Sequence, residues 1–486
     1  SSTAMPAARP SPDQPHALHD EVASRALEAQ ALASTPPHHL MQQAGLSLAH
    51  LAMALAPHAR LFWVACGPGH NGGDGLIAAK CLHQWGRRVW VSRVEAPAAS
   101  GSSVAWALQQ CTEAGLQVRT HAPSEAWDLA LDALFGLGAR PGLDAAHASW
   151  LHAMRTSPAP LLCADVPSGL HAGTGAWSED TAWLLRPPGS THTLSLLTLK
   201  SGLYTGAGRD AAGQVWFDDL GTVVPAGPAS ATLLSPPPPR RIRHDSHKGH
   251  GGTVWVIGGG PGMAGAAWLA AQSALRRGAG RVQVQLLAPE THPVARPMAL
   301  MTAPEFPQNA DALTVVAGCG AGVSIRAALP RVLSVAPRLV LDADGLNALV
   351  DDVALQTLLR QRSARGHHTI LTPHPLEAAR LLGCSVQQVQ SDRLQSARAL
   401  ASKFEAVVVL KGSGSLIAHP DGRLAINPTG HPRLATAGSG DVLAGWIGAR
   451  MARGHDAWEA ACHAVYEHGR QGERGPADEP LLADDQ

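Results

Sequence analysis

Carboxylates, amide side chains and hydroxyls sit beside clustered glycines at several points of this 486-residue chain, where a ligand can approach backbone closely. The stretch 67–75, GPGHNGGDG, carries Asn71 and Asp74 between an apolar run, LFWVAC, and a helical run, GLIAAKCLHQWG. It satisfies G-x-G-x-x-G, so amides at a helix start could face an anion. GPGMAG at 260–265 satisfies the same pattern, and a chain with 50 glycines yields such matches by chance. A dehydrogenase turn would also need an acid about 20 residues on, and Glu95 lies too far along. Asp74 at a helix start would repel a pyrophosphate unless a cation or sugar hydroxyl intervened. Taken alone, it could equally cap an ordinary strand-to-helix turn.

Two further strand ends carry oxygen. LDALFGLGARPG (131–142) places Asp132 before a Gly-rich loop, and CADVPSGLHAGTG (163–175) places Asp165 and Ser168 beyond an apolar run. Ligands gather at the carboxyl ends of strands in an open parallel sheet. Asn71, Asp132 and Ser168 could therefore converge on a hard cation, which takes oxygen ligands, leaving Asp165 for proton transfer.

The second half offers a different chemistry. In NPTGHPRLATAGSGDVLAGWIGA (427–449), Ala437-Gly-Ser-Gly-Asp441 leads into a helix and combines free amides with one carboxylate. That is an anion hole plus a general base, as phosphoryl transfer onto a hydroxyl requires. No G-x-x-x-x-G-K-[ST] occurs, which excludes a P-loop. Lys411, followed by Gly-Ser-Gly, could present charge and amides to a nucleotide. His374 in TPHP is held between prolines at a strand-to-loop junction.

These groups need a frame, and both halves alternate short β-rich runs with Ala/Leu-rich helical runs, the pattern of parallel α/β layering. Expected strands are LFWVAC, RVWVSRV, LQVRTHA, LALDALF, LLCADV and THTLSLL, then TVWVIGG, RVQVQLL, ALTVVAG, RLVLDAD, HTILTP, AVVVLKG and SLIAH. Four consecutive prolines mark a spacer at 226–239 between domains at 15–225 and 240–475. The N-terminal stretch SSTAMPAARPSPDQP reads as a disordered arm and the tail ERGPADEPLLADDQ as a frayed end. Formal net charge is zero and 16% of residues are charged, which argues against nucleic-acid or membrane partners. No apolar run reaches spanning length. Seven cysteines without metal spacing read as small buried hydrophobes in a reducing cytoplasm. Trp- and Ala-rich surfaces hint at a homo-oligomer.

The first-half motifs G-x-G-x-N-G-G-D-G, D-A-L-F-G-x-G, D-x-P-S-G-L-x-A-x-T-G and T-L-K-S-G-L-Y-T-G-x-G-R, over about 15–220, resemble the NAD(P)H-hydrate epimerase domain (YjeF N-terminal family). The resemblance implies a Rossmann-like three-layer α/β domain with potassium held by Asn71, Asp132 and Ser168. It implies substrate contacts from His70, Asn71, Gly72, Gly73, Asp74, the loop Gly136, Leu137, Gly138, Ala139, Arg140, Pro141 and Gly142, and Asp165. Asp165 would transfer the proton as the R and S forms of the C6-hydrated nicotinamide interconvert, with Lys200 assisting. His70 stands where that family commonly has Asn.

The second-half motifs H-K-G-x-x-G, L-D-A-D-G-L-N, L-T-P-H-P-x-E and N-x-T-G…A-T-A-G-S-G-D-V-L-A-G resemble the ribokinase-like ADP/ATP-dependent NAD(P)H-hydrate dehydratase domain. This implies that Gly265, Ala266, Gly320, His374 and Asp441 line the hydrate site. Lys411, Gly412, Ser413, Gly414, Ser415 and Gly440 would bind ADP or ATP with magnesium, and Asp441 would activate the C6 hydroxyl. ADP is the favoured donor. His431-Pro432-Arg433 departs from the family's usual NPG. The competing expectation is a ribokinase-like small-molecule kinase fused to a dinucleotide-binding module.

Overall fold

The computed structural model describes residues 7–137, 143–177, 189–222 and 229–486. They form two compact units, one holding residues 16–231 with the stretch ending at Ser11, the other holding 232–486 with Pro12–Pro15.

The first unit is built on seven parallel strands: β1 (Phe62–Cys66), β2 (Val89–Arg93), β3 (Val118–Arg119), β4 (Leu129–Ala133), β5 (Leu161–Ala164), β6 (Thr191–Leu196) and β7 (Gln214–Asp218). Their order is β3-β2-β1-β4-β5-β6-β7. Every residue of β1, β4 and β5 is buried, as a sheet covered on both faces requires. Consecutive strands leave β1 in one direction and β4 in the other, so a crevice opens at the carboxyl ends between them. Helices α1 (Glu21–Ser34), α2 (His39–Leu55) and α3 (His70–Gln84) belong to this unit. Leu48, Leu51 and Ile77 are fully buried in its core, each contributing about 1.5–3 kcal/mol.

Two expectations need correction. LQVRTHA supplies only the two-residue β3, and β7 lay in no expected strand. In the N-terminal arm residues 1–6 lie outside the described residues, while Ala7 is 2% exposed. Ala8 and Phe217 exchange backbone hydrogen bonds at the sheet edge (3.1 and 2.8 Å), enough to hold an otherwise unmarked segment.

In the second unit the strands are β8 (Ala231–Leu233), β9 (Thr253–Gly258), β10 (Arg281–Leu286), β11 (Met301–Thr302), β12 (Leu313–Ala317), β13 (Arg338–Leu341), β14 (His368–Leu371), β15 (Val407–Leu410), β16 (Leu416–Ala418) and β17 (Leu424–Ile426). They run β8-β17-β16-β15-β14-β13-β12-β9-β10-β11. From β15 to β11 the pairing is parallel, and β16 is antiparallel to both its neighbours. The expected spacer contains β8, whose Thr232 and Leu233 pair with Ala425 and Ile426. Residues 234–239, with the proline run, carry no regular structure, and 226–228 lie outside the described residues.

Helices α4 (Ala264–Arg276), α5 (Pro375–Leu382), α6 (Arg393–Phe404), α7 (Ser439–Ala452) and α8 (Ala457–Gly472) complete the elements used below. α7 packs so closely on α4 that a Cβ at Gly445 would lie 2.0 Å from the Ala270 carbonyl oxygen.

The acidic tail is packed rather than frayed. Arg433 donates from Nε to the Glu479 carbonyl (2.7 Å) and from Nη1 to that of Gly472 (3.3 Å), while Leu481 N–H donates to Arg433 O (2.9 Å). Gln486 is 2% exposed, and its side chain meets His468 and Ser439. The tail's charge and prolines concealed these partners, which come from a loop some 50 residues upstream by the 436–486 contact itself.

Candidate functional site

In the first unit the site forms at the crevice predicted by strand order. Gly67 ends β1 where a Cβ would sit 1.7 Å from Leu134 O, and a Cβ at Gly72 would sit 1.9 Å from Gly67 O. Glycine at both positions lets the helix start tuck under the end of β4. Gly69 caps α3 with no side-chain hydrogen bond, which leaves the first amides to a ligand. A cavity of about 380 Å3 lies there, lined among others by His70, Asn71, Asp74, Gly136, Leu137 and Asp165.

Asp165 follows β5 with φ +68°, a conformation costly for a residue with a side chain. Its Oδ1 accepts from Leu196 N–H (3.0 Å) and from the Lys200 ammonium. Lys200 is 1% exposed and also donates to the carbonyls of Leu196 (2.6 Å) and Thr198 (2.9 Å), which fix its position beneath the carboxylate. Two more carboxyls face this pair. Burial, then Asp165 and Glu28, push the Asp74 carboxyl well above the usual carboxylate range. Burial and Asp165 raise Glu28 as well. Glu28, on α1, also reaches His70 (4.0 Å).

Beside this cluster, Asn71 donates from Nδ2 to Ala164 O (2.7 Å), while its Oδ1 is buried without a hydrogen-bond partner. Asp132 is fully buried and accepts from Ser168 Oγ (2.5 Å), Ser168 N–H (2.9 Å) and Leu134 N–H (3.2 Å). Burial raises its carboxyl, and the Ser168 hydrogen bonds oppose that rise. The orphaned Asn71 Oδ1 and the buried Asp132–Ser168 pair are oxygen donors of the kind a hard cation takes. Gly72 and Gly73 lie in the first turn of α3; Gly138, Ala139, Arg140, Pro141 and Gly142 lie outside the described residues.

In the second unit the chemistry-bearing groups emerge at the carboxyl ends of adjacent parallel strands. Cys319 follows β12, Asp342 follows β13, Thr372 follows β14 and Lys411 follows β15. Asp342 Oδ1 accepts from Thr372 Oγ1 (2.8 Å) and Lys411 Nζ (3.1 Å). Asp441 enters from the first turn of α7, and its carboxylate, that of Asp342 and the Cys319 sulfur lie within 4.8 Å of one another. Burial and the Asp342 charge push Asp441 up to about 7, against the lowering effects of Cys319 and Lys411. Burial works against the Lys411 charge, yet Asp342 and Glu377 hold its ammonium above the usual range.

α7 starts at Gly438, in the left-handed region at φ +87°, again without a side-chain cap; the Ser439 amide donates to Thr436 O (3.2 Å), and those of Gly440 and Asp441 stay open. A Cβ at Gly440 would lie 3.1 Å from Lys411 Nζ, which places that ammonium at the anion hole. Gly412, Ser413, Gly414 and Ser415 form the turn joining β15 to β16; Arg393 of α6 donates to Leu410 O and Lys411 O beneath it. Lys411 thus points back to the acid cluster while the four residues after it stay at the hairpin. Gly320 adjoins Cys319, and a Cβ there would touch Ala266 (2.7 Å); Gly265 faces open space. His374 caps α5 through a capping box with Glu377, and burial followed by Lys411 lowers its imidazole.

Sequence reasoning gave no role to Glu28 or Asp342. Asp342 stood in the quoted LDADGLN, at a strand end, and position alone could have nominated it. Glu28 carries no such mark, being one acid in an Ala-rich helix distant in sequence. The His431-Pro432-Arg433 departure lies in the tail clamp, through Arg433.

Among the described residues, no helix is long and apolar enough to cross a membrane. Residues 37–202 match the family described as YjeF-related protein N-terminus, and residues 254–484 match NAD(P)H-hydrate dehydratase. A bifunctional NAD(P)H-hydrate repair enzyme of Escherichia coli K12 is 34% identical over 471 residues, 93% of this chain and 87% of that protein. The ADP-dependent (S)-NAD(P)H-hydrate dehydratase of Neisseria meningitidis is 44% identical over 236 residues, 46% of this chain and 77% of that protein. A crystal structure of the Bacillus subtilis ADP/ATP-dependent NAD(P)H-hydrate dehydratase, obtained with ATP/Mg2+, is 29% identical, with TM-score 0.42 over 50% of this chain and 89% of that one. The chain belongs to the family of bifunctional NAD(P)H-hydrate repair enzymes.

Proposed function

We propose that each unit performs one step in restoring hydrated NAD(P)H. The observation that carries this reading is the pair of proton-handling carboxylates, Asp165 and Asp441, each at the carboxyl edge of its own parallel sheet.

In the first unit, the hydrated dihydronicotinamide enters the 380 Å3 cavity with its phosphates toward the open start of α3. Asp165, oriented by Lys200 and Leu196 N–H, takes the C6 hydroxyl proton as the C6–N1 bond opens, and returns it after reclosure from the other face. This exchanges the R and S forms. Asn71 Oδ1, Asp132 and Ser168 fit a potassium ion, which would supply positive charge beside the substrate's phosphates.

In the second unit, Asp441 accepts the C6 hydroxyl proton while that oxygen attacks the terminal phosphorus of ADP. The bond to the leaving AMP breaks, phosphate then departs from C6, and loss of the C5 proton restores the ring double bond. The amides at the start of α7 and the Lys411 ammonium stabilise the transferring group. Magnesium enters with the nucleotide as part of the substrate. Cys319, Asp342 and Asp441 make a poor resident magnesium cage, because one ligand is a thiol and Asp342 is already bonded to Thr372 and Lys411. All seven cysteines are free and six are buried, which supports a reducing compartment, the cytoplasm.

Two variants test the division of labour. With ADP present, Asp165→Asn should consume only the S hydrate, while Asp441→Asn should interconvert R and S without consuming either. Consumption of both forms by Asp165→Asn would remove the role assigned to the first unit.

A further inference from the structure

The proline run and three helix ends of the second unit border an open cavity of about 450 Å3 on which Arg240, Arg276, Arg277, Arg450, Arg453 and Arg470 converge. Arg276 and Arg277 end α4, Arg450 and Arg453 end α7, Arg470 lies in the last turn of α8, and Arg240 follows Pro236–Pro239. One carboxylate, Glu467, lines the cavity, and it is paired with Arg450. A smaller cavity of about 190 Å3 shares Arg277, Glu467 and Arg470 and adds Trp446 and Arg474.

Basic residues commonly close helices, but one or two satisfy each helix dipole. Here three helix ends bring five such residues to one place, Arg240 adds a sixth, and they oppose one another. Burial lowers the Arg277 guanidinium, Glu467 offsets part of that, and Arg276 and Arg450 lower it further. The Nε atoms of Arg277, Arg450 and Arg453 and the Trp446 indole nitrogen are all buried without hydrogen-bond partners. A Cβ at Gly278 would lie 3.1 Å from Arg453 Nη1 and 3.4 Å from Arg240 Nη1, so two guanidiniums from different elements meet over one bare backbone position. Natural proteins rarely gather unsatisfied buried donors in one place without a ligand to accept from them. The cluster is remote from the chemistry, since Asp441 and Arg453 stand at opposite ends of α7, about 18 Å apart along its axis.

We propose that this cavity binds a small polyphosphate anion, of the class to which pyrophosphates and nucleoside di- and triphosphates belong, at a site separate from both catalytic centres. Arg276, Arg277 and Arg453 each give one nitrogen to a backbone carbonyl and Arg450 gives one to Glu467, and their remaining N–H groups, with those of Arg240 and Arg470, can donate to phosphate oxygens. A single phosphate would leave most of the six charges unmatched, whereas a chain of phosphoryl groups spans several forks. The arginines gather around one place rather than along a stripe, which favours a compact ligand over an extended nucleic acid.

Calorimetric titration of the full chain with inorganic tripolyphosphate tests this, comparing the natural protein with the double variant Arg240→Ala/Arg470→Ala. Both positions are exposed, so the fold should persist, and easing the repulsion should leave the unfolding midpoint no lower. Tripolyphosphate should bind with an affinity that falls as salt rises, and the double variant should weaken that binding about tenfold or more. Inorganic phosphate should bind at least about tenfold more weakly than tripolyphosphate. Equal binding by variant and natural protein, no binding to either, or phosphate binding as tightly as tripolyphosphate would overturn the proposal.

Discussion

Replacing Asp342 with Asn should move the acid limb of the dehydratase pH profile by an amount the geometry sets. Asp441 must be ionised to accept a proton, so activity should rise with pH through its pKa of about 7. The Asp342 charge is the second cause of that elevation after burial. The two carboxylates approach within 4.8 Å, where one unit charge acts on another with about 3 kcal/mol at an effective dielectric near 20. That corresponds to about two pK units. Removing the negative neighbour favours the ionised form and lowers the pKa, and Lys411, freed of its partner, pulls the same way. Thr372 can still hydrogen-bond to the amide that replaces the carboxylate. The assay is kcat/KM for the S hydrate with ADP between about pH 5 and 9, which reports the free enzyme. The limb should fall from about 7 toward about 5. A limb that stays in place, or moves to higher pH, in a variant of unchanged Tm would refute Asp441 as the titrating base.

Asp74→Asn should stabilise the first unit while impairing epimerisation. A buried carboxyl raised in the fold loses stability as pH climbs from the ordinary carboxylate range to its elevated pKa, and Asn removes that loss. Thermal melts at pH 5 and 8 should therefore differ less in the variant than in the natural protein. Arg433→Ala strands the carbonyls of Glu479 and Gly472, costing about 2–3 kcal/mol and roughly 4–12 °C in Tm. Limited proteolysis should then cut within 474–486 first. Exchanging potassium for tetramethylammonium, too large for the Asn71–Asp132–Ser168 set, should slow R-to-S conversion and leave ADP-dependent loss of the S form unchanged.

The first unit's sheet was legible because its strands are buried on both faces and read as unbroken apolar runs, as in LFWVAC and LALDALF. Acids closing such runs stand out, which is why Asp132 and Asp165 could be nominated without coordinates. Two strands were not legible, since β7, at a sheet edge, and β17, inside the other sheet, are short runs with weak periodicity. Longer-range partners left still less trace. Glu28 reaches the cavity only because α1 folds over it, and the fixing of Lys200 by three acceptors depends on the turn after β6. The tail failed in the opposite direction: its prolines and acids suggest solvent, but its backbone carbonyls, which sequence patterns do not display, hold it to Arg433.

The most direct measurement incubates the chain with mixed R and S hydrates, with and without ADP, and resolves hydrates, NAD(P)H and nucleotides by chromatography. With ADP and magnesium, both hydrates should disappear and NAD(P)H, AMP and inorganic phosphate should accumulate in equal amounts; without ADP, the two forms should only equilibrate. A lasting phosphorylated product, or loss of the S form with the R form untouched, would contradict the account.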